Sequence, residues 1–369
     1  MVNVRSLSSF PWERLAGAAA HTRPFTPATR FAFRCLGTST DDDVGRKGED
    51  PPSTSSMLME EWRDPALKGV GQVIFLNSTK AGAIVLGSLA IGDPYLACLA
   101  TLGAVTSNGV AKAIQLDKST MKNGLLAYNG SLMGCISAAF VAPQNAMLGI
   151  LSTVPGAAMA TVVTAALPGA LGGKMPQWTF AFNMVALTQL VRVQPLLRET
   201  PQVAEAEAEA VTWTMQSVMG APIVGVAQIF VVENFWTGAG ILAGIATYSP
   251  QLAAHALAGS TIGSLTGLCL GAPVSDVAAG LYGFNSALTS MGVAVFFTNS
   301  VPTLILSGCG AAVTAGTHAG FKEVFFTMGG APCLTLPFCV TMTGCYLLAG
   351  RVPGLVLASN PHSPEKNKE

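Results

Sequence analysis

Charge is what this chain lacks most. Of 369 residues only 11% are Asp, Glu, Lys or Arg, against about 25% in an ordinary soluble domain. A chain so poor in charge cannot clothe itself in a water-facing surface, and a bilayer is the better solvent for it. The formal net charge is +0, which does not suggest nucleic acid or acidic partners. Catalytic and metal signatures are missing as well. The 8 cysteines form no CxxC pair, and His21, His255, His318 and His362 show no ligand spacing, so neither a metal nor a cofactor is expected. Seven of the cysteines lie in apolar segments, where a thiol serves as a small hydrophobe. There is no P-loop, no GxSxG and no HExxH, and no carboxylate, His or Cys constellation that an intramembrane enzyme would need. Carboxylates inside the apolar segments are scarce. Glu233 is the clearest, with Asn77 at the matching place earlier in the chain, and it reads as a cap at a helix end. Carriers coupled to protons or sodium keep buried carboxylates on their path, so this scarcity favours passive conduction of a neutral solute.

What is present is repetition. Gln72 recurs as Gln228, Tyr128-Asn129 as Phe284-Asn285, Leu132 as Leu288, Pro176 as Pro332, Thr179 as Thr335 and Phe182 as Phe338, always 156 positions apart and with no gap. Half the residues are hydrophobic and 40 are glycine. Small residues let membrane helices approach closely and allow breaks that face a cavity or another helix. The repeat predicts an all-α membrane protein of two five-span halves. Repeat one spans Val70–Ile91, Tyr95–Ile114, Leu132–Val141, Met147–Leu167 and Trp178–Val193, with a half-helix dipping in at Lys118–Tyr128. Repeat two spans Val224–Thr247, Leu252–Leu270, Leu288–Phe297, Val301–Ala315 and Leu334–Leu348, with its half-helix at Ser275–Phe284. An odd number of spans per copy makes the copies inverted, enclosing a central pore where they meet. Lys112, Lys118, Lys122 and Lys174 then fall on inner loops, while Arg192, Arg198 and Lys322 fall on outer ones.

The chain divides into a tail (1–66), repeat one (67–193), a polar link (194–212) with an AEAEAEA run, repeat two (213–350) and a C-terminal tail (351–369). The first tail carries five arginines and one acid, Glu13, before Asp41. Two readings stand: a disordered cytosolic tail, which goes with a plasma membrane, or an organelle transit segment. Asn77 and Asn129 each begin a glycosylation sequon inside an apolar region, and neither is read as modified.

The repeated polar and aromatic residues are the candidate site. Gln72 and Gln228 are amides inside apolar helices, costly without partners. Each serves either as helix–helix glue or, as a symmetric pair, as one of two pore mouths. Tyr128 with Leu132, and Phe284 with Leu288, are (i, i+4) pairs on one helical face. Each follows a glycine-bearing break, GLLAYN and GLYGFN. Such aromatics either pack or form a flat slot that passes planar molecules. Phe75, three residues past Gln72, extends that slot; its counterpart Val231 breaks the symmetry, and Ile229 is the apolar wall opposite. Thr179 and Thr335 follow prolines at helix starts, where each bonds its own helix or lines the midplane.

At these residues the chain resembles the urea transporter family. GVGQVIFLNSTKAG, GLLAYNGSLMG and MPQWTFAFNMVAL carry the resemblance, with their partners GVAQIFVVENFWTG, GLYGFNSALTS and APCLTLPFCVTM. It covers roughly Lys68 to Gly350 and departs where the family often has Asn-Pro after the mouth glutamine. The resemblance implies a passive urea channel of ten spans and two re-entrant half-helices, assembled as a homotrimer with one pore per protomer. It implies mouth roles for Gln72 and Gln228, and slot walls at Phe75, Tyr128, Leu132, Ile229, Phe284 and Leu288. Thr179 and Thr335 become midplane threonines, and carbonyl ladders fall near Gly124–Asn129 and Gly280–Asn285. The expected partners are urea and the lipid bilayer. A urea analogue, ammonia or water is the alternative solute, and a non-conducting scaffold would pass none.

Overall fold

The α-helices recur with the same period as the sequence. The computed structural model describes residues 54–143, 145–173, 175–198, 215–327 and 330–367. The arginine-rich part of the first tail and the acidic run of the link lie outside them. The first seven helices are α1 (Thr54–Gln72), α2 (Thr79–Gly92), α3 (Pro94–Ala113), α4 (Lys118–Lys122), α5 (Tyr128–Ile136), α6 (Ala146–Ala170) and α7 (Phe180–Arg198). The next seven are α8 (Met215–Gln228), α9 (Phe235–Tyr248), α10 (Pro250–Cys269), α11 (Val274–Ala278), α12 (Gly283–Phe296), α13 (Val301–Thr327) and α14 (Leu336–Leu347). A π-helical turn, Ser137–Val141, carries α5 onward.

The punctuation repeats too. Ser78 caps α2 and Asn234, its counterpart, caps α9, each side chain accepting a backbone N–H of the first turn. Asp93 and Ser249 cap α3 and α10 in the same way, each followed by proline at the first helical position. Glu233 is exposed and the cap is its neighbour Asn234, which corrects the expectation for that residue.

Among the described helices, α6, α10 and α13 are long and apolar enough to cross a membrane. The chain is thus an all-α membrane bundle. Its boundaries differ from the hydropathy reading in three ways. The expected spans from Val70 and from Val224 are each interrupted, because α1 stops at Gln72 and α8 at Gln228. The expected half-helices are five residues each, α4 and α11, followed by unwound backbone. Finally, α13 runs on to Thr327, α7 to Arg198 and α3 to Ala113, so Lys322 (paired with Asp276), Arg192, Arg198 and Lys112 stand on helices and not on loops.

Close packing accounts for some of the glycines. A Cβ on Gly103 would lie 1.9 Å from the Gly130 carbonyl oxygen, and one on Gly134 would lie 2.0 Å from that of Leu99. Helices α3 and α5 therefore run backbone against backbone, where dispersion and short polar contacts take over from hydrophobic burial. Large apolar side chains such as Met147, Leu151, Trp236, Leu304 and Phe326 point outward, as lipid-facing residues do.

The C-terminal segment folds back on the bundle. Leu357 bridges Phe297, and the Ala358 amide donates to the Phe296 carbonyl. Asn367 Nδ2 donates to the carbonyls of Ala294, Val295 and Phe297.

Candidate functional site

The site is built from backbone that leaves the helix in both copies at the same places. Phe75 and Val231 have φ of 64° and 63°, and Trp178 and Leu334 have 47° and 51°. Left-handed backbone costs a bulky or β-branched residue about 1–3 kcal/mol, and it persists only where surrounding contacts hold it. Those contacts come from the candidate residues. Gln72 Nε2 donates to the Asn123 carbonyl at 2.9 Å, and Gln228 Nε2 to the Ala279 carbonyl at 2.8 Å. Each glutamine thus joins the end of a long helix to the unwound residues after a half-helix. Phe75 lies beyond the end of α1, in the turn at 73–78, and not one helical turn along from Gln72 as the spacing predicts.

The carbonyls freed at the second break are met differently in the two copies. The Tyr128 hydroxyl donates to the Trp178 carbonyl. Phe284 has no hydroxyl, and the matching Leu334 carbonyl takes the Asn285 amide instead, at 3.0 Å. His318 packs edge-on to Phe284, with ring centroids 5.8 Å apart, and its Nδ1 lies 3.4 Å from both Asn285 Nδ2 and Cys333 Sγ.

The two copies meet at the threonines. The Thr179 and Thr335 hydroxyls are hydrogen-bonded, Oγ1 to Oγ1, at 2.7 Å, and both residues are buried. Asn183 Nδ2 donates to Thr335 Oγ1 at 2.9 Å and to the Thr179 carbonyl at 2.8 Å, while Asn183 Oδ1 accepts the Thr335 amide at 3.2 Å. Cys339 Sγ lies 3.2 Å from Thr179 Oγ1. This seam is polar and neutral: hydroxyls, an amide and a thiol, held by an apolar shell.

On one side of the seam a cavity of about 170 Å³ opens, walled by Leu132, Gln228, Ile229, Phe284 and Thr335 of the predicted residues, with Phe140, Phe182 and Leu334. On the other side the predicted residues are packed. Gln72, Phe75, Tyr128, Thr179 and Leu288 are buried and do not line that cavity. Phe75 there sits edge-on to Phe296 at 6.1 Å and to Phe338 at 6.3 Å. The structure therefore brings five of the ten together around one cavity; Thr179 joins them at the seam through Thr335, and Gln72, Phe75, Tyr128 and Leu288 are buried away from the cavity lining.

Sequence reasoning passed over Asn183, Cys339 and Asn285. Asn183 and Cys339 occupy matching positions but differ in type, so a search for repeated residues drops both. Asn285 does repeat, as Asn129, which donates to Thr164 Oγ1 at 2.8 Å; adjacency to an aromatic at a helix break was the available signal. Among the described residues no cluster of His, Cys, Asp or Glu could hold a metal ion.

The chain matches known proteins along most of its length. The family model described as "Urea transporter" matches residues 64–350. Urea transporter 1 of Ovis aries is 29% identical over 317 residues, covering 83% of this chain and 82% of its own length. Urea transporter 1 of Rattus norvegicus is 28% identical over 304 residues, covering 80% and 79%. That of Mus musculus is 28% identical over 337 residues, covering 88% and 86%.

Proposed function

This chain belongs to the urea transporter family, and on that premise we propose that it conducts urea passively, through a pore that crosses the seam between two inverted repeats. The observation that carries the reading is the contact of Thr179 with Thr335, the same position in each copy, within a neutral polar seam. Urea is planar and neutral, with N–H donors and one carbonyl. A urea molecule at the seam exchanges partners with the two hydroxyls, so the hydrogen bonds it loses to water are replaced. At the threonine pair itself an ion finds only neutral groups to offset its dehydration, and is rejected; the charged residue lining the adjoining cavity, Lys322, is paired with Asp276.

In this reading Gln72 and Gln228 mark the two mouths, with α4 and α11 as re-entrant half-helices. Leu132, Ile229 and Phe284 form the apolar wall on the cavity side, and Phe75, Tyr128 and Leu288 the wall beyond the seam. Amides at the mouths shed water from urea before the apolar walls flatten its approach. Neutral seam chemistry also supports conduction without ion coupling. Residence in the plasma membrane and assembly as a homotrimer with one pore per protomer belong to the same proposal. The outward apolar side chains are compatible with both lipid and a second copy.

Stopped-flow urea uptake into proteoliposomes holding the full chain tests this. Fast saturable uptake, unaltered when ionophores collapse proton and sodium gradients, is the expected result. Uptake that follows an ion gradient, or that equals empty vesicles, overturns it.

A further inference from the structure

The two halves of the proposed pore are lined differently, and one matched position exchanges a leucine for a tryptophan. Leu334 lines the open cavity. Its counterpart 156 positions earlier is Trp178, in the same left-handed backbone conformation, φ 47° against 51°. The Trp178 ring stands edge-on to Phe296 at 5.1 Å, to Tyr346 at 5.8 Å and to Phe338 at 6.0 Å. Phe296 and Phe338 match Phe140 and Phe182, which wall the open cavity. The shell is therefore shared, and the filling differs. The exchange of Ile136 for Gly292 runs the other way, but the Met342 side chain occupies the room it leaves, its sulfur 3.0 Å from where a Cβ would stand on Gly292.

Trp178 is fixed in this place. Its Nε1 donates to Thr343 Oγ1 at 3.0 Å, its carbonyl takes the Tyr128 hydroxyl, and it is 5% exposed. A rigid ring bonded at its Nε1, carried on a residue whose backbone carbonyl is bonded as well and one residue from the seam threonine, is a steric stop and not a flexible filler.

We infer that Trp178 is a specificity-determining residue, the steric filter that limits this channel to solutes of urea's size on the side of the seam away from the open cavity. The inference rests on the proposed pore. Substitution by leucine recreates at 178 the residue that stands in the open half. Leu334→Trp carries the converse change.

The test is the permeability ratio of 1,3-dimethylurea to urea, measured in proteoliposomes for wild type, Trp178→Leu, Trp178→Phe and Leu334→Trp. A ratio does not depend on how much protein is folded. Trp178→Leu should raise it by about tenfold, the low end of what a methylene-sized misfit discriminates in a packed site. Trp178→Phe should raise it less, and Leu334→Trp should lower urea flux while leaving the ratio at or below the wild-type value. If Trp178→Leu does not reach liposomes in folded form, Trp178→Phe carries the test, and an unchanged ratio for it overturns the inference. Wild-type urea flux with identical ratios in all variants overturns the filter and leaves the pore standing. Wild type without urea flux overturns the pore and the filter with it.

Discussion

Thr179 and Thr335 share a hydrogen bond of 2.7 Å across 156 residues of chain. The residues that repeat in sequence touch in space, so the contact defines where one copy ends and the other begins. Asn183 fixes it by serving both threonines, donating to the hydroxyl of one and the carbonyl of the other.

Asn183→Leu keeps the branching of the side chain but removes these bonds and strands the Thr335 amide, which donates to Asn183 Oδ1. A buried unsatisfied group costs about 1–3 kcal/mol, so the variant should melt several degrees lower in detergent than wild type. An unchanged melting temperature would mean that the amide does not brace the seam.

Glycines divide into those that carry backbone contact and those that do not. Gly103→Ala drives a methyl into the Gly130 carbonyl, whereas Gly169 in α6 has open space around its Cβ position. Gly103→Ala should cost about 1–3 kcal/mol or prevent folding, and Gly169→Ala should be neutral or gain up to about 1 kcal/mol of helix propensity. Thermal melting of the two variants side by side checks the pair; equal effects would contradict the packing account.

The docked C-terminal segment should loosen in acid. Burial pushes the Glu365 carboxyl up, but hydrogen bonds donated by the Ser249 hydroxyl and the Gln251 amide outweigh it and hold the group below its ordinary value. A depressed folded pKa means that docking is fully supported above the ordinary carboxylate range and is lost as pH falls through the lowered value. Hydrogen exchange of the amides of residues 355–367 should therefore accelerate in acid beyond its intrinsic trend. Glu365→Gln should show faster exchange already at neutral pH. Equal protection of the two proteins at both pH values would refute this.

Much of this architecture was legible in the sequence, for a physical reason. A gapless repeat preserves both boundaries of α2, α3 and α4 in α9, α10 and α11, and the order of the remaining helices, so the matching of α1–α7 to α8–α14 follows from the repeat. Hydropathy missed the breaks after Gln72 and Gln228 because the residues there, Val73-Ile74-Phe75-Leu76 and Ile229-Phe230-Val231-Val232, are as apolar as the helices they join. Only the left-handed φ of Phe75 and Val231 reveals the turn. The reverse filter hid Asn183 and Trp178. Each is matched by a different residue, Cys339 and Leu334, and reasoning from repeated residues discards what the two halves do not share. The asymmetry of the site lives in those unrepeated positions.

The most direct measurement of the central claim is urea flux through Thr179→Val/Thr335→Val proteoliposomes against wild type, with melting temperature as the control for folding. If urea crosses by exchanging hydrogen bonds with these two hydroxyls, the double variant should conduct at least about tenfold more slowly, the effect of about one lost hydrogen bond, while it still melts cooperatively, above the temperature of the assay. Undiminished urea flux through a folded double variant would contradict the account, because the path would then lie elsewhere.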